Sequence, residues 1–356
     1  MKRLGVLIGV LAILAVACGG APAATTAPAT QAATTTAPSV APTTAARTPL
    51  PCCKKVVAAF SNITADNWVM WYAFEKGIFK EQGLDVDMQS INGGAQTSAA
   101  LVANQIQIGQ FGGSEALSGV AGGADLVVVG NMAPVYPYIL YAKKEIKTVA
   151  DLKGKKVAVS NAGGSSDIAT RSALKAAGLD PNKDVIILAV GSHAQRTAAL
   201  LSGQVDAGVD DPPEDDEVVK AGFTPLIDLA GQRLPAANTG IIVQRSFLNA
   251  NKDIIQAYVD ATVIARAKMT TDKAGALAIM DKYFKKTLGD SGARAFDFFI
   301  AGKTPVTPVY PNTSLEQFKD AVDILGATND KIKTVDLTKL LDSSFVKSAQ
   351  ERKLGG

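Results

Sequence analysis

One stretch of this chain is written twice. Residues 95–109 read AQTSAALVANQIQIG and residues 194–208 read AQRTAALLSGQVDAG, with seven of the fifteen positions identical, ninety-nine residues apart. The likeness extends to both sides. VVAAFSN (56–62) and KVAVSN (156–161) are short apolar runs that end in Ser61-Asn62 and Ser160-Asn161, again ninety-nine apart. Each run is followed by a helical pattern, NWVMWYAFEKGIFKEQG or SSDIATRSALKAAG, with Gly83 and Gly178 placed as helix-ending glycines. A second apolar run comes next (LDVDMQSI, DVIILAVG), then the repeated helix, a short strand, and a new helix from about Ser114 and about Pro213. Each half therefore reads β-α-β-α-β, with crossovers long enough for parallel pairing.

A chain that spells one α/β lobe twice has few folds open to it. Such sheets bind ligands beyond the carboxyl ends of their strands, and two copies can set two crevices mouth to mouth. Ser61-Asn62 and Ser160-Asn161 are then expected on opposite walls of one cleft, in a hinged clamp that closes on a small molecule.

The N-terminus reads differently. MKR and the apolar LGVLIGVLAILAVA are too short for the roughly 20 residues of a membrane span and have the layout of an export signal over 1–17. Cys18 follows in LAVACGG, which resembles a bacterial lipobox apart from Ala15 in the usual Leu position, so Cys18 is the expected lipidation site. The alternative is ordinary signal cleavage with an incidental cysteine. Residues 18–53, rich in Ala, Thr and Pro, cannot bury enough surface to order themselves and read as a disordered tether. The expected location is the extracytoplasmic face of the cell membrane, held by the lipid alone.

Charge and cysteine usage exclude several classes. The net charge is +3, and +1 without Lys2 and Arg3, with scattered lysines and no basic stripe for nucleic acid. Cys52 and Cys53 are adjacent, in no metal-site spacing, and are assigned no role.

WYAFEKGIFKEQGLDVDM, AALVANQIQIGQFG, TVADLKGKKVAVSNAGGSS and AALLSGQVDAGVDDPP, taken in order, resemble the solute-binding proteins of ABC importers. The nearest branch serves sulfonates, taurine and thiamin-precursor pyrimidines and has riboflavin-binding relatives. The resemblance implies an α/β, two-lobed periplasmic-binding-protein-like clamp, each lobe a mostly parallel sheet flanked by helices. Lobe 1 is expected over 54–143 plus 240–356 and lobe 2 over 144–239, with crossovers near Tyr141–Thr148 and Asn238–Gln244. The C-terminal helices are expected on lobe 1. Implied partners are a small-molecule ligand, an ABC permease and its ATPase; the chain is expected to be a monomer without cofactor or metal.

Carried over residue by residue, the family's pocket points to Ser61, Asn62, Asp66, Asn67 and Trp68; Ser114 and Glu115; Tyr136 within Pro134–Tyr138; Asn161, Gly164, Ser165 and Ser166; Asp210 and Asp211; and Asn238 and Thr239 at the hinge. NAGGSSD is a glycine-bearing helix entry that could hold an oxyanion, or in which Ser165 or Ser166 simply caps the helix. The predicted loops carry carboxylates (Asp66, Glu115, Asp167, Asp210, Asp211) and neither Arg nor Lys, which disfavours an anion. Trp68, Trp71, Tyr72, Tyr136 and Tyr138 bunch nearby, as a slot for a flat ring or as plain packing. The expected ligand is thus a flat heteroaromatic nutrient, riboflavin or a thiamin-type pyrimidine, with sulfonates or taurine as the alternative.

The acids of DDPPEDDE (210–217) suit a helix start or, through Glu115 and its repeat equivalent Glu214, docking to a permease. An enzyme is the rival class. The only histidine, His193, is expected to be structural and away from the loop ends, and no catalytic triad, metal cluster or P-loop is legible. A sensor partner for a membrane kinase would share the same clamp.

Overall fold

The computed structural model describes residues 48–356; the 1–17 signal, Cys18 and the tether up to residue 47 lie outside the described residues. No helix among the described residues is long and apolar enough to cross a membrane. Among the described residues ten strands form two five-stranded sheets: β1 (Lys54–Phe60), β2 (Leu84–Ser90), β3 (Ile108–Phe111), β4 (Leu126–Val135), β5 (Ile139–Ala142), β6 (Lys156–Val159), β7 (Ile186–Ala189), β8 (Ala207–Asp210), β9 (Thr224–Asp228) and β10 (Pro235–Gln244). Their orders are β2-β1-β3-β10-β4 and β7-β6-β8-β5-β9. The repeated halves supply β2-β1-β3 and β7-β6-β8, paired in parallel through matching registers.

The fourth strand of each sheet runs antiparallel and comes from the other half of the chain. β10 pairs with β3 and β4, and β5 pairs with β8 and β9. This placement moves the expected lobe boundaries. Tyr141 already belongs to the second sheet and Asn238 and Thr239 to the first, so the chain changes lobe at 136–138 and at 229–234. The crossovers expected near Tyr141–Thr148 and Asn238–Gln244 overlap the end of β5 and most of β10, because an exchanged strand looks no different from a resident one in sequence.

The helices that flank the cleft are α1 (Trp68–Glu75), α2 (Gly94–Val102), α3 (Gly113–Ala121), α4 (Ser165–Ala176) and α5 (His193–Leu201). The first repeat's long helical pattern is broken at Gly77, whose φ of +71° is left-handed and ends α1 before the short helix Ile78–Glu81. Gly83 and Gly178 do adopt the positive φ that a helix-ending glycine supplies.

The C-terminal segment packs on both lobes, not on lobe 1 alone. Helix α6 (Lys252–Thr271) joins the lobe 1 core through Tyr258, whose ring stacks on Phe79 at 4.9 Å. Its Asp260 is bridged to Arg352 at 2.6 and 2.8 Å, which pins the last helix. Phe318 and Ile332 belong to a second core that contains Ile168 and Leu174 of lobe 2. Arg294 reaches across to Asp215, fully buried in lobe 2, at 2.6 and 2.9 Å, and Tyr141 Oη donates to the same carboxylate at 2.6 Å.

A bidentate guanidinium is a large part of what compensates the Asp215 carboxylate for its burial. Arg294→Ala is expected to cost about 2–3 kcal/mol in urea unfolding, below the ~3–5 kcal/mol of a wholly buried pair because Tyr141 still donates. A loss under about 0.5 kcal/mol would show that the bridge is held only at the surface.

Candidate functional site

The repeat builds one cleft. A cavity of ≈ 230 Å³ is lined by Ser61, Asn62 and Asp66 from lobe 1 and by Ser160, Asn161, Ser165 and Ser166 from lobe 2. Both Ser-Asn pairs follow the carboxyl ends of β1 and β6, the first strand of each repeat, where parallel α/β sheets place their sites. Asn238 and Thr239 enter from β10, where register shifts interrupt its pairing with β4 and turn this stretch toward the cleft. Asp66 is fixed there: its carboxylate accepts from Thr64 and Thr239 hydroxyls and from Asn238 Nδ2 at 3.3 Å.

Several predicted site residues lie elsewhere. Trp68 is fully buried in the core, donating Nε1–H to Ala276 O at 3.0 Å and packing edge-on against Phe296. Trp71 stacks on Tyr283 at 4.5 Å, and Tyr72 donates to Asp272 at 2.8 Å. Tyr136 is buried behind the cleft with its hydroxyl 3.4 Å from Asp320, and Ser114 lines that same rear pocket. Only Tyr138 of the aromatic group lines the cleft. The aromatic slot is therefore absent: packing rings in the core removes roughly 150–250 Å² each from water, a larger gain than a polar, wet cleft offers.

The polar set is corrected too. Asn67 is buried and donates to Asn62 O and Thr64 Oγ1, shaping the loop from behind. Gly164 is the N-cap of α4, and neither Ser165 nor Ser166 caps that helix. Ser166 Oγ instead accepts from Ser160 N at 2.8 Å, and Asp167 turns away to Gly163 N and Arg171. Asp211 lines the cleft, whereas Asp210 lies behind it. The permease-docking reading of the two glutamates is overturned by their placement: Glu115 faces the cleft, and both carboxylate oxygens of Glu214 are buried without a hydrogen-bond partner.

Two cleft residues were missed. His193, the first residue of α5, lines the cleft with Nδ1 2.6 Å from Asp210 Oδ1. Burial, aided by the Arg196 guanidinium, holds its imidazole below the ordinary value and hence neutral at pH 7. Arg196 also lines the cleft; it gives Nε to Val209 O and Nη1 to Gly191 O, leaving Nη2 without a partner. Both sit in the repeated helix, so its matching letters had been read as structure. Gln96 and Gln195, identical in the repeat and both in the cleft wall, carried the signal.

Glu115 occupies the most telling position. A Cβ built on Gly94, the first residue of α2, would come 2.6 Å from Glu115 Oε1. One on Gly112, the N-cap of α3, would strike the same carboxylate and the Ser165 hydroxyl, and one on Gly164, the N-cap of α4, would come 3.3 Å from Oε1. A carboxylate of the protein thus sits among three helix N-termini, where partial positive charge gathers. Its hydrogen-bond donors include Ser114 Oγ at 2.7 Å, and burial raises its pKa.

Because the folded chain holds the Glu115 proton to higher pH than the unfolded chain does, stability falls as pH rises from the ordinary glutamate range through the raised value. Glu115→Gln is expected to melt above the parent at pH 8, with the gap closing below about pH 4. A gap that does not change with pH would remove the carboxyl's ionisation as its cause.

Known proteins place the chain further. It is similar to a putative binding protein of Brucella abortus, 29% identical over 195 residues, or 52% of this chain and 56% of that protein. A putative aliphatic sulfonates-binding protein of Escherichia coli is 32% identical over 194 residues (53% and 59%), and a putative thiamine biosynthesis protein of Haemophilus influenzae 31% over 147 (41% and 46%). The matched region spans about half the length of these curated relatives. In fold, the crystal structure of the periplasmic aliphatic sulphonate binding protein SsuA of E. coli superposes with a TM-score of 0.67 at 22% identity, over 83% of this chain and 99% of that one. The model of the NMT1/THI5-like family matches residues 65–274, more than half of the sequence, and the chain belongs to that family.

Proposed function

We propose that this chain is the solute-binding component of an ABC importer and that its cleft takes a small, donor-rich heteroaromatic amine of the thiamin-precursor pyrimidine class. The observation that carries the ligand class is Glu115. Its carboxylate lies where three helix N-termini converge, so the place best suited to a ligand's anion is taken by the protein's own acid. Asp66 and Asp211 add two more carboxylates to the lining. A ligand amine or ring N–H pairs with such a wall, while a second anion there would meet like charge.

Size agrees with a single substituted ring. The ≈ 230 Å³ cavity is smaller than the roughly 300–1,000 Å³ of sites for drug-sized molecules, and riboflavin, a three-ring system with a sugar-alcohol tail, loses both its room and its aromatic slot. Binding, not turnover, fits the polar groups. His193 and Asp210 form a pair, but among the described residues no hydrogen bond joins His193 to a serine. The lipid anchor at Cys18, the permease and its ATPase belong to this reading. So does a location outside the cytoplasmic membrane, with the chain acting as a monomer; labelled fatty acid should enter the wild-type chain and not Cys18→Ala.

A second reading is sulfonate capture, favoured by the unpartnered Nη2 of Arg196 in the cleft wall and by the E. coli relative's name. Calorimetric titration of the purified chain with 4-amino-5-hydroxymethyl-2-methylpyrimidine and with taurine separates the two. The pyrimidine is expected to bind more tightly, and Glu115→Ala to weaken it by about 10- to 100-fold, as loss of a charge-assisted hydrogen bond would. Tighter taurine binding, abolished by Arg196→Met, would overturn the amine class and install the sulfonate.

A further inference from the structure

We propose that His193, Asp210 and Asp211 form a binding site for a divalent transition-metal cation in the lobe 2 wall of the cleft. Asp210 ends β8, Asp211 follows it, and His193 opens α5, so the topology brings a strand end and a helix start together. His193 Nδ1 lies 2.6 Å from Asp210 Oδ1 and 3.6 Å from Asp211 Oδ1, and the three donor atoms all fall within 4.8 Å of one another. A tetrahedral cation with bonds of ~2.0–2.2 Å holds its donors about 3–3.5 Å apart, a spacing that the two imidazole–carboxylate distances bracket.

The groups are held for the task. Asp210 is fully buried, its second oxygen accepts from Thr197 Oγ1 at 2.8 Å, and its Oδ1 accepts the Asp211 N–H at 3.1 Å. His193 follows a Ser192–Gln195 capping box that fixes the start of its helix. Its side chain is 15% exposed, on the cleft side, which leaves an entry path and open coordination positions.

An independent observation points to an ion. Asp211 is 2% exposed, and its Oδ1 has no hydrogen-bond partner among the described residues. Glu214, three residues on, buries both of its oxygens without a partner. Of the nearby guanidiniums, Arg294 is bound to Asp215, and Arg196 gives Nε and Nη1 to main-chain carbonyls while its Nη2 makes no hydrogen bond to either carboxylate. Buried carboxylate oxygens are rarely left unpaired, and an unrecorded ion is one standard reason when they are. One imidazole and two carboxylates suit Zn²⁺, Mn²⁺, Co²⁺ or Ni²⁺; Ca²⁺ asks for six or more oxygens, and Mg²⁺ prefers carboxylates and retained water.

The test is calorimetric titration of the purified chain, dialysed against chelator, with Zn²⁺ alone and in parallel with Mg²⁺. One zinc site is expected, weakened at least 10-fold in His193→Ala and in Asp211→Asn, with Mg²⁺ binding far more weakly. His193 is the chain's only histidine, so zinc held by Cys18, Cys52 or Cys53 would survive its removal. Zinc should also raise the melting temperature of the parent and not that of Asp211→Asn, whose own melting shows that it folds. No zinc binding, equal affinity for Mg²⁺, or zinc binding unchanged in both variants would overturn the site. No organic solute is present, so failure here leaves the importer reading standing, and failure of that reading leaves this one.

Discussion

Each lobe of this protein depends on a strand that it does not own. β10 returns from the second half to sit between β3 and β4, and β5 leaves the first half to sit between β8 and β9. Without the exchanged strand, β4 and β9 would be cut off from their sheets, with their backbone N–H and C=O groups unpaired. The two lobes are therefore joined by two short crossings at 136–138 and 229–234, and the strand ends that carry Ser61-Asn62 and Ser160-Asn161 face a shared space. The cleft is a consequence of the pairing.

The chemistry of that cleft follows from a conflict it contains. Helix N-termini favour negative charge, and in this chain Glu115 and the two aspartates supply it from within. A Cβ on Gly94 or Gly112 would meet the Glu115 carboxylate, so a larger residue at either position would have to displace it. On the other wall, His193 stays neutral beside Asp210, and burial raises the pKa values of Asp211 and Glu214 well above ordinary, helped by Glu214 and Asp210 near Asp211 and by Asp210 near Glu214. Such a wall calls for cationic or hydrogen-donating company. The C-terminal segment adds to the enclosure, since Arg294 bridges to Asp215 of lobe 2 and Phe318 and Ile332 join the core that holds Ile168 and Leu174.

Much of the lobe architecture was legible because parallel β-α-β units leave a regular trace: apolar runs, helix-ending glycines and a fixed repeat distance. The cleft lining was legible where it rides on that trace, at Ser61, Asn62, Asn161 and the Asp211 loop. It was not legible where side chains choose between two environments. Trp68 and Tyr136 stand beside the cleft in sequence, yet their apolar area draws them into the core. His193 and Arg196 looked like helix residues and became wall residues, because α5 begins at the rim.

By itself, then, the sequence determined that one α/β lobe occurs twice and that the ends of its first strands would meet, since hydrophobic periodicity and turn residues act over short distances. Only the tertiary structure decided which strand completes each sheet, which aromatic rings leave the cleft, and that Glu115 stands among three helix N-termini. Those outcomes depend on pairing, burial and charge between residues far apart in the chain, whose energies no local pattern records.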